Sequence, residues 1–190
     1  MRVISGICKG RNLATVPGVS TRPTTGMLKG MIFNILQGSL AEAVVLDICA
    51  GSGALGIEAL SRGATRATFM EEDRRALTAL EKNLQDCKLL AVSEVLAGDA
   101  LRRLASWQPK QKVSLVFCDP PYHSDLYEPI LTRLGSVGWL TPEAIIVVEH
   151  HKDTDISGVY GQLRSYRRVS YSRTAVTFLQ IGLSSSRGES

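Results

Sequence analysis

The sequence predicts an α/β protein built on a mostly parallel, doubly wound sheet that ends in an antiparallel hairpin. Between Val44 and Glu149, short apolar segments alternate with segments whose apolar residues recur at helical spacing. Such alternation is typical of β–α–β units, whose strands lie parallel in one sheet. Beyond Gly161, two strand-like segments follow each other with only Ser172 and Arg173 between them. A connection of two residues predicts a β-hairpin rather than another β–α–β unit.

A short N-terminal extension precedes the sheet. Residues 3–16 predict an irregular pair of short strands around two glycines. Apolar residues then recur with i, i+4 spacing over residues 27–36, which predicts a helix that packs on the core. Thr24 or Thr25 can cap this helix, because a hydroxyl oxygen accepts hydrogen bonds from the first backbone N–H groups.

The elements of the sheet follow in chain order. Short apolar runs predict the strands, and one-sided apolar spacing predicts the helices between them. The predicted strands are Val44–Ile48, Ala67–Glu71, Val92–Ala97, Val113–Cys118 and Ala144–Glu149. The predicted helices are Leu55–Arg62, Asp73–Leu84, Leu101–Leu104 and Leu126–Leu134, and the hairpin joins Leu163–Tyr171 to Thr174–Leu179.

Charge is segregated along the chain. The net charge of +4 hides two basic ends and an acidic middle. Five basic residues precede the first acidic residue: Arg2, Lys9, Arg11, Arg22 and Lys29. Beyond Gly161, five arginines face only Glu189. This distribution favours a small-molecule site flanked by surfaces that bind a polyanion, and nucleic acid is the polyanion that we expect.

Other features narrow the class of protein. The sequence has no apolar run of the roughly 20 residues that a membrane helix needs. Polar residues interrupt the N-terminus, where a signal peptide would have an apolar core. The cysteines, Cys8, Cys49, Cys87 and Cys118, are scattered and form no CxxC pair. We therefore expect buried thiols in a cytoplasmic protein, with no zinc site and no disulfide framework.

A glycine-rich turn connects the first strand of the sheet to its helix. Gly51 and Gly53 let the backbone turn sharply and approach a ligand closely, and residues 51–56 match the pattern GxGxxG. Glu71 ends the second strand, where an acid can bind ribose hydroxyls. A dinucleotide and S-adenosylmethionine (SAM) both need a glycine turn and a ribose acceptor, so this match alone does not choose between them.

Three acidic positions favour SAM over a dinucleotide. Asp47, at the tip of the first strand, can help to hold the methionine ammonium group or the loop around it, beside Ala50. A dinucleotide would place its pyrophosphate at this position, and the negative charge of a nearby carboxylate would repel it. Asp99, after the third strand, can accept from the adenine amine, although it fits the N-cap of the next helix almost equally well. The third acid, Asp119, lies in the motif that follows the fourth strand.

Asp119-Pro120-Pro121-Tyr122 is the most specific motif in the chain. Prolines lack an N–H group and favour an extended backbone. The carboxylate of Asp119 and the carbonyl of Pro120 can only accept hydrogen bonds, and Tyr122 has a flat aromatic face. These groups together suit a planar base that carries an NH₂ group. The motif is similar to the tetrapeptide of the SAM-dependent amino-methyltransferases.

With these residues in place, the chain resembles a known family, the bacterial small-subunit (16S) ribosomal RNA guanine-N2 methyltransferases, or RsmD family. The resemblance is carried by residues 2–6, 9–11, 22–25, 32–36, 46–56 and 119–122. It implies a Rossmann-like class I SAM-dependent methyltransferase fold. It also implies methylation of the exocyclic N2 amine of a guanine in 16S rRNA, within a small-subunit assembly intermediate. The chain departs from the family pattern at Gly26, Met27, Gly30, Ser114 and the turn at Ser172-Arg173.

The expected site is therefore as follows. Asp119, Pro120 and Tyr122 are catalytic; Asp47, Ala50, Gly51, Gly53, Glu71 and Asp99 bind SAM; and Lys9, Arg11, Arg22, Thr24, Pro121 and His123 contact RNA. We expect a basic extension over residues 1–40, a SAM-binding catalytic domain over 41–183 and a disordered tail over 184–190. We expect a monomer that binds neither a metal nor a membrane.

Two alternatives and two minor predictions stay open at this point. A DNA adenine-N6 methyltransferase uses the same tetrapeptide, and a non-catalytic RNA-binding assembly factor would share the basic ends. Residues His150 and His151 are predicted to form a solvated strand end. The indoles of Trp107 and Trp139 are predicted to belong to a satellite of the core.

Overall fold

The structure is a computed structural model that describes residues 1–16, 26–121 and 125–182. Its helices are α1 (Gly26–Ile35), α2 (Ala54–Ser61), α3 (Arg74–Asp86), α4 (Ala100–Ser106) and α5 (Tyr127–Leu134). Its strands are β1 (Val44–Ile48), β2 (Arg66–Glu71), β3 (Ser93–Ala97), β4 (Val113–Cys118), β5 (Leu140–His151), β6 (Val159–Tyr160), β7 (Leu163–Tyr171) and β8 (Thr174–Ile181). Two short 3₁₀ helices cover Gln37–Ser39 and Leu90–Val92.

All eight strands form one sheet in the order β3-β2-β1-β4-β5-β8-β7-β6. Strands β1 to β5 run parallel, whereas β8 and β7 are antiparallel to their neighbours. The predicted parallel sheet with a C-terminal hairpin is confirmed. Because β1 pairs with both β2 and β4, the order of strands reverses at β1. In open α/β sheets, such a reversal leaves a crevice at the carboxyl ends of the strands, where ligands bind.

Helices cover both faces of the sheet and bury a core on each. Helices α1, α2 and α3 pack on one face, and α4 and α5 pack on the other. Successive residues of a strand point to opposite faces, so Phe117 belongs to the first core and Cys118 to the second. Trp107 and Trp139 meet edge to face, 5.2 Å between ring centroids, at the margin of the second core. This confirms their predicted packing role.

The N-terminal segment, residues 1–16, folds back on itself and packs against α2. A single antiparallel bridge joins Arg2 to Asn12, so the predicted pair of strands is reduced to one bridge. The carboxylate of Glu58 accepts hydrogen bonds from the backbone N–H groups of Ile4 (2.8 Å) and Ser5 (3.0 Å). It also pairs with the Nζ of Lys29 at 2.9 Å, and both charged side chains are fully buried.

Two predictions about charged or polar residues are wrong. Lys29, one of the N-terminal basic residues, is buried in the ion pair with Glu58 and donates to the carbonyl of Arg2, so it does not face a polyanion. His150 is not solvated. Strand β5 continues through His151 because β8 pairs with it from Ile145 to His151. The ring of His150 is buried against Thr177 Oγ1 at 2.9 Å.

Among the described residues, no helix has the length and apolarity to cross a membrane. The same part of the chain contains no cluster of three or more histidine, cysteine or acidic side chains arranged to bind a metal ion.

Candidate active site

A cleft of about 1530 Å³ opens at the carboxyl edge of the parallel strands. Its walls come from the N-terminal segment, the glycine loop (residues 49–53), the ends of β2 to β5 and the turn between β7 and β8. Most of the predicted cofactor residues and Asp119 therefore border one space. The cleft lies where β1 pairs with both β2 and β4, which is the crevice expected for this topology.

The glycine loop has a backbone that only a few residue types adopt easily. Gly51 (φ 56°) and Gly53 (φ 79°) both lie in the left-handed region. Cys49 also has a positive φ of 58°, although a side chain disfavours this conformation. A Cβ atom on Gly53 would lie 2.4 Å from the side chain of Leu80, so Gly53 permits close packing of the loop on α3. The Cβ position of Gly51, by contrast, faces open space.

Asp47 holds the loop and helix together. Its side chain is buried, and Oδ2 accepts a hydrogen bond from the backbone N–H of Gly56 at 2.9 Å. Burial raises the pKa of Asp47 to about 7, the Gly56 N–H opposes this rise, and the charge of Glu71 adds to it. Of the two roles predicted for Asp47, these contacts favour the support of the loop over a direct grip on the ligand.

Glu71 closes the loop from the other side. One carboxylate oxygen accepts from the backbone N–H of Gly51 at 2.7 Å, and the other accepts from the N–H groups of Glu72 (2.9 Å) and Asp73 (2.8 Å). Glu71 is half-buried and lines the cleft. Asp73 caps α3, because its side chain accepts from the N–H groups of Arg75 and Ala76.

Asp99 combines the two features predicted as alternatives. Its carboxylate accepts from the backbone N–H of Arg102 at 2.9 Å and so caps α4. Asp99 also lines the cleft, beside Ala100 and Gly98. The capping role is therefore established, and the contact with an adenine amine stays a prediction.

Asp119, which follows β4, and Glu149, near the end of β5, form an acidic pair. Cys118 and Val148 are register partners, so the residues that follow them, Asp119 and Glu149, lie next to each other across the two strands. Both line the cleft, and Glu149 is buried. Desolvation raises the pKa of Asp119 well above its usual range, and the negative charges of Glu149 and Asp47 raise it further.

Three further residues of the cleft were not predicted from the sequence: Glu149, His151 and Arg173. Glu149 ends a predicted strand, as Glu71 does, and this position was the available signal. No local sequence pattern identifies His151 or Arg173. They reach the cleft only because β5 pairs with β8 and because the hairpin turns between β7 and β8.

Only some of the other predicted site residues line the cleft. Ala50, Gly51, Pro120, Pro121 and Lys9 line the cleft, whereas Gly53 and the exposed Arg11 are not among the described residues that do so. The described residues do not include Arg22, Thr24, Tyr122 or His123. They end at residue 182, so they also do not include the predicted tail at 184–190.

Comparison with known proteins identifies relatives over nearly the whole chain. The family model described as Conserved hypothetical protein 95 matches residues 1–180. The chain is 39% identical to Ribosomal RNA small subunit methyltransferase D of Haemophilus influenzae over 154 residues, which are 80% of each protein. It is 38% identical to the protein of the same name from Escherichia coli, over 84% of this chain and 79% of that protein.

Solved structures show the same fold. The structure of yhhF from Escherichia coli has a TM-score of 0.84 at 36% identity and covers 95% of this chain and 97% of its own. That of HI0767 from Haemophilus influenzae has a TM-score of 0.79 at 32% identity, covering 95% and 98%. The fold is that of the Rossmann-like class I methyltransferases. The chain belongs to the Conserved hypothetical protein 95 family, which includes the bacterial proteins named Ribosomal RNA small subunit methyltransferase D.

Proposed function

We propose that this protein is a SAM-dependent enzyme that methylates the exocyclic N2 amine of a guanine in 16S rRNA. The observation that carries the proposal is that Asp119, Pro120 and Pro121 open into the same cleft as Gly51 and Glu71. A base-binding motif and a nucleoside-binding loop thus share one space. The relatives named for small-subunit ribosomal RNA support the choice of RNA, and the resemblance of the motifs supports guanine N2.

The cleft has the chemistry that SAM requires. Glu71 would accept hydrogen bonds from ribose hydroxyls, and Asp99 would accept one from the adenine amine. Met70, Leu55 and Ala100 add apolar surface for the adenine ring. The open space at Gly51 lets a ligand approach the backbone closely. SMU.776, which shares the fold at 13% identity, has been solved in complex with SAH, the demethylated form of SAM.

The chemical step depends on how the amine is held. SAM, when bound, supplies a methyl group on a positively charged sulfur. The carboxylate of Asp119 and the carbonyl of Pro120 would accept the two N–H groups of the guanine amine. This arrangement keeps electron density on nitrogen and fixes the line of attack. The S–CH₃ bond would break as the N–C bond forms, with SAH as the leaving group. The methylated nitrogen would then be acidic, and Asp119 would accept the proton that it loses.

The target base has to leave its stack to reach this position. Extrusion of a base costs a few kcal/mol. Stacking on an aromatic ring such as Tyr122 returns about 1–3 kcal/mol, and a hydrogen bond to a charged acceptor contributes about 1.5–3 kcal/mol. Asp119 and Tyr122 together would therefore roughly offset the extrusion, whereas either residue alone would leave part of the cost uncompensated.

The experiment is a transfer assay with labelled SAM and four acceptors: stripped small-subunit RNA, assembled subunits, duplex DNA and a protein extract. We expect label in the RNA, either free or in the subunit, and N2-methylguanine after digestion. Label in DNA adenine, or in no acceptor, would contradict the proposal.

Variants test the role of Asp119 in the same assay. Asp119→Ala should abolish transfer while leaving the Kd for SAM within a few-fold, because the loop and Glu71 are untouched. Glu72→Ala is the matched control, since it removes an exposed carboxylate from the rim of the same cleft and should retain activity. Near-normal turnover by Asp119→Ala would remove Asp119 from the catalytic residues.

A further inference from the structure

The side chain of Asn83 joins two distant parts of the chain. Asn83 lies on α3 and is fully buried. Its Oδ1 accepts a hydrogen bond from the backbone N–H of Ala14 at 2.7 Å. Its Nδ2 donates to the carbonyl of Ala14 at 3.0 Å and to the carbonyl of Ser52 at 2.9 Å. Both amide protons and the oxygen are therefore used, and every bond goes to backbone.

One end of this link is the glycine loop. Ser52 lies between Gly51, whose N–H donates to Glu71, and Gly53, which packs closely on Leu80. The loop is thus held by Glu71 at the Ala50–Gly51 peptide and by Asn83 at the Ser52–Gly53 peptide. A ligand that binds this loop therefore contacts a backbone whose position is partly set by Asn83.

The other end is the N-terminal segment. Ala14 precedes Thr15 and Val16, which line the cleft together with Lys9 from the same segment. The segment has other anchors, but they go elsewhere than the loop. Glu58 of α2 accepts from Ile4 and Ser5, and Ser61 Oγ of α2 accepts from the N–H of Cys8 at 2.9 Å. Lys29 of α1 donates to the carbonyl of Arg2, and the thiol of Cys8 donates to the carbonyl of Cys87. Among the bonds of the described residues, those of Asn83 connect the segment to the loop.

We infer that Asn83 couples the binding of SAM at the glycine loop to the binding of RNA by the N-terminal segment. It acts as a positioning residue, since it is not among the described residues that line the cleft. A ligand that orders Ser52 also orders Ala14, because the rigid side-chain amide of Asn83 bonds to both. The second ligand then binds a segment whose conformational entropy has already been reduced. The coupling is reciprocal, as thermodynamic linkage requires. This inference rests on the proposed function.

The test measures two affinities and their ratio. SAH serves as the unreactive probe of the donor site, and stripped 16S rRNA serves as the acceptor. The Kd for SAH is measured by calorimetry without RNA and with saturating RNA, for the full chain and its variants. We expect RNA to tighten SAH binding by about fivefold or more in the parent protein, the lower range of typical couplings between sites. In Asn83→Ala this ratio should fall to about one.

Ser61→Ala is the matched control. Ser61 is also buried, and its hydroxyl ties two backbone groups of the N-terminal segment, the N–H of Cys8 and the carbonyl of Ser5, to α2. It makes no bond to the glycine loop, so its variant should keep the coupling ratio of the parent. If Asn83→Ala does not fold, Asn83→Asp replaces it, since that variant keeps an acceptor for Ala14 and loses both donated bonds.

Three results would overturn the inference: a ratio of one in the parent protein, a parent-like ratio in both Asn83 variants, or an equal loss of coupling in Ser61→Ala. The methyl-transfer assay separates these from a failure of the proposed function. A parent protein that methylates RNA but shows a ratio of one disproves only the coupling. A parent protein that methylates no RNA disproves the proposed function itself.

Discussion

Asp47 couples the stability of the fold to pH. Its carboxyl group lies between β1 and α2, and burial raises its pKa from 3.8 to about 7. A raised pKa means that the folded protein holds the proton more tightly than the unfolded chain. The contribution of Asp47 to the free energy of unfolding is therefore greatest below pH 4 and falls as the pH rises to about 7.

Asp47→Asn should remove this dependence. The amide oxygen can still accept from Gly56, but no charge has to be buried at neutral pH. We expect the free energy of unfolding of Asp47→Asn, relative to the parent, to rise steadily between pH 4 and pH 7. Urea unfolding at several pH values, without ligand, measures it. A difference between the two proteins that does not change with pH would mean that Asp47 has no raised pKa.

Glu149 should shift the pKa of Asp119, the acid that we propose holds the substrate amine. Its negative charge is one of the causes that raise the pKa of Asp119. Asp119 accepts hydrogen bonds and a proton best when ionised, so we expect methyl transfer to fall as the pH drops through its raised pKa. Glu149→Gln removes one negative charge and should move this acidic limb to lower pH.

The pH profile of kcat/KM gives the position of the limb. Glu72→Gln serves as the control, because Glu72 is an exposed acid on the same cleft and its loss should leave the profile in place. If Glu149→Gln leaves the limb where it was, or moves it to higher pH, then Glu149 does not act on Asp119 in this way.

At the scale of elements, a buried ionic cluster holds the N-terminal segment on α2. Glu58 pairs with Lys29 of α1 and with Arg62 (2.8 Å), and it also accepts from two backbone groups of the segment. The guanidinium of Arg62 in turn lies 4.8 Å from the ring centroid of Phe33, within range of a cation–π contact. One carboxylate thus connects α1, α2 and the segment that borders the cleft.

Glu58→Ala should therefore be strongly destabilising. It leaves the ammonium group of Lys29 buried without its charge partner, and removal of one partner of a buried pair costs about 3–5 kcal/mol. Asp86→Ala is the control, since Asp86 pairs with Lys82 on the exposed side of α3 and its loss should cost less than about 1 kcal/mol. Equal losses in urea unfolding would show that the buried cluster contributes little.

The sequence predicted most elements but not all of their ends. Strand β5 runs over Leu140–His151, beyond the predicted Ala144–Glu149 at both ends. Local composition predicts a strand only where residues are apolar, whereas a strand continues for as long as a neighbour pairs with it. The neighbour of His150 and His151 is β8, more than 20 residues further along the chain. Its pairing is a tertiary property that local patterns do not contain.

At the scale of the whole molecule, the basic N-terminus borders the acidic end of the sheet. Lys9 and Arg2 line the same cleft as Asp119 and Glu149, and Arg173 reaches it from the hairpin turn. A polyanion would be attracted to the basic surfaces, while the acids lie at the base of the site. This arrangement suits a nucleic acid whose phosphates stay at the rim while one base enters.

Replacing Lys9, Arg11 and Arg22 together should weaken RNA binding and reduce its salt dependence. Each phosphate contact on a single strand contributes about 0.7 to the slope of log K against log salt, so the slope should fall by about 2. Lys88, Lys110 and Lys112 provide a matched triple variant, because all three are exposed and none is among the residues that line the cleft. If both triple variants change the slope equally, the N-terminal segment has no special role in binding RNA.

The sequence by itself determined the order of strands and helices, the glycine loop and the tetrapeptide at the end of β4. These features depend on neighbours in the chain: apolar periodicity, turn residues and motif spacing. The convergence of Asp47, Glu71, Asp99 and Asp119 on one edge also followed from the sequence, since parallel strands bring their carboxyl ends together.

Only the tertiary structure decided what each charged side chain contacts. Lys29 looked like a surface cation, but Glu58 lies opposite it and both are buried. Asn83 carried no local signal, yet it joins Ala14 to Ser52. The physical reason is that burial and pairing depend on groups brought together from distant parts of the chain, and the sequence of a single segment does not specify its partner.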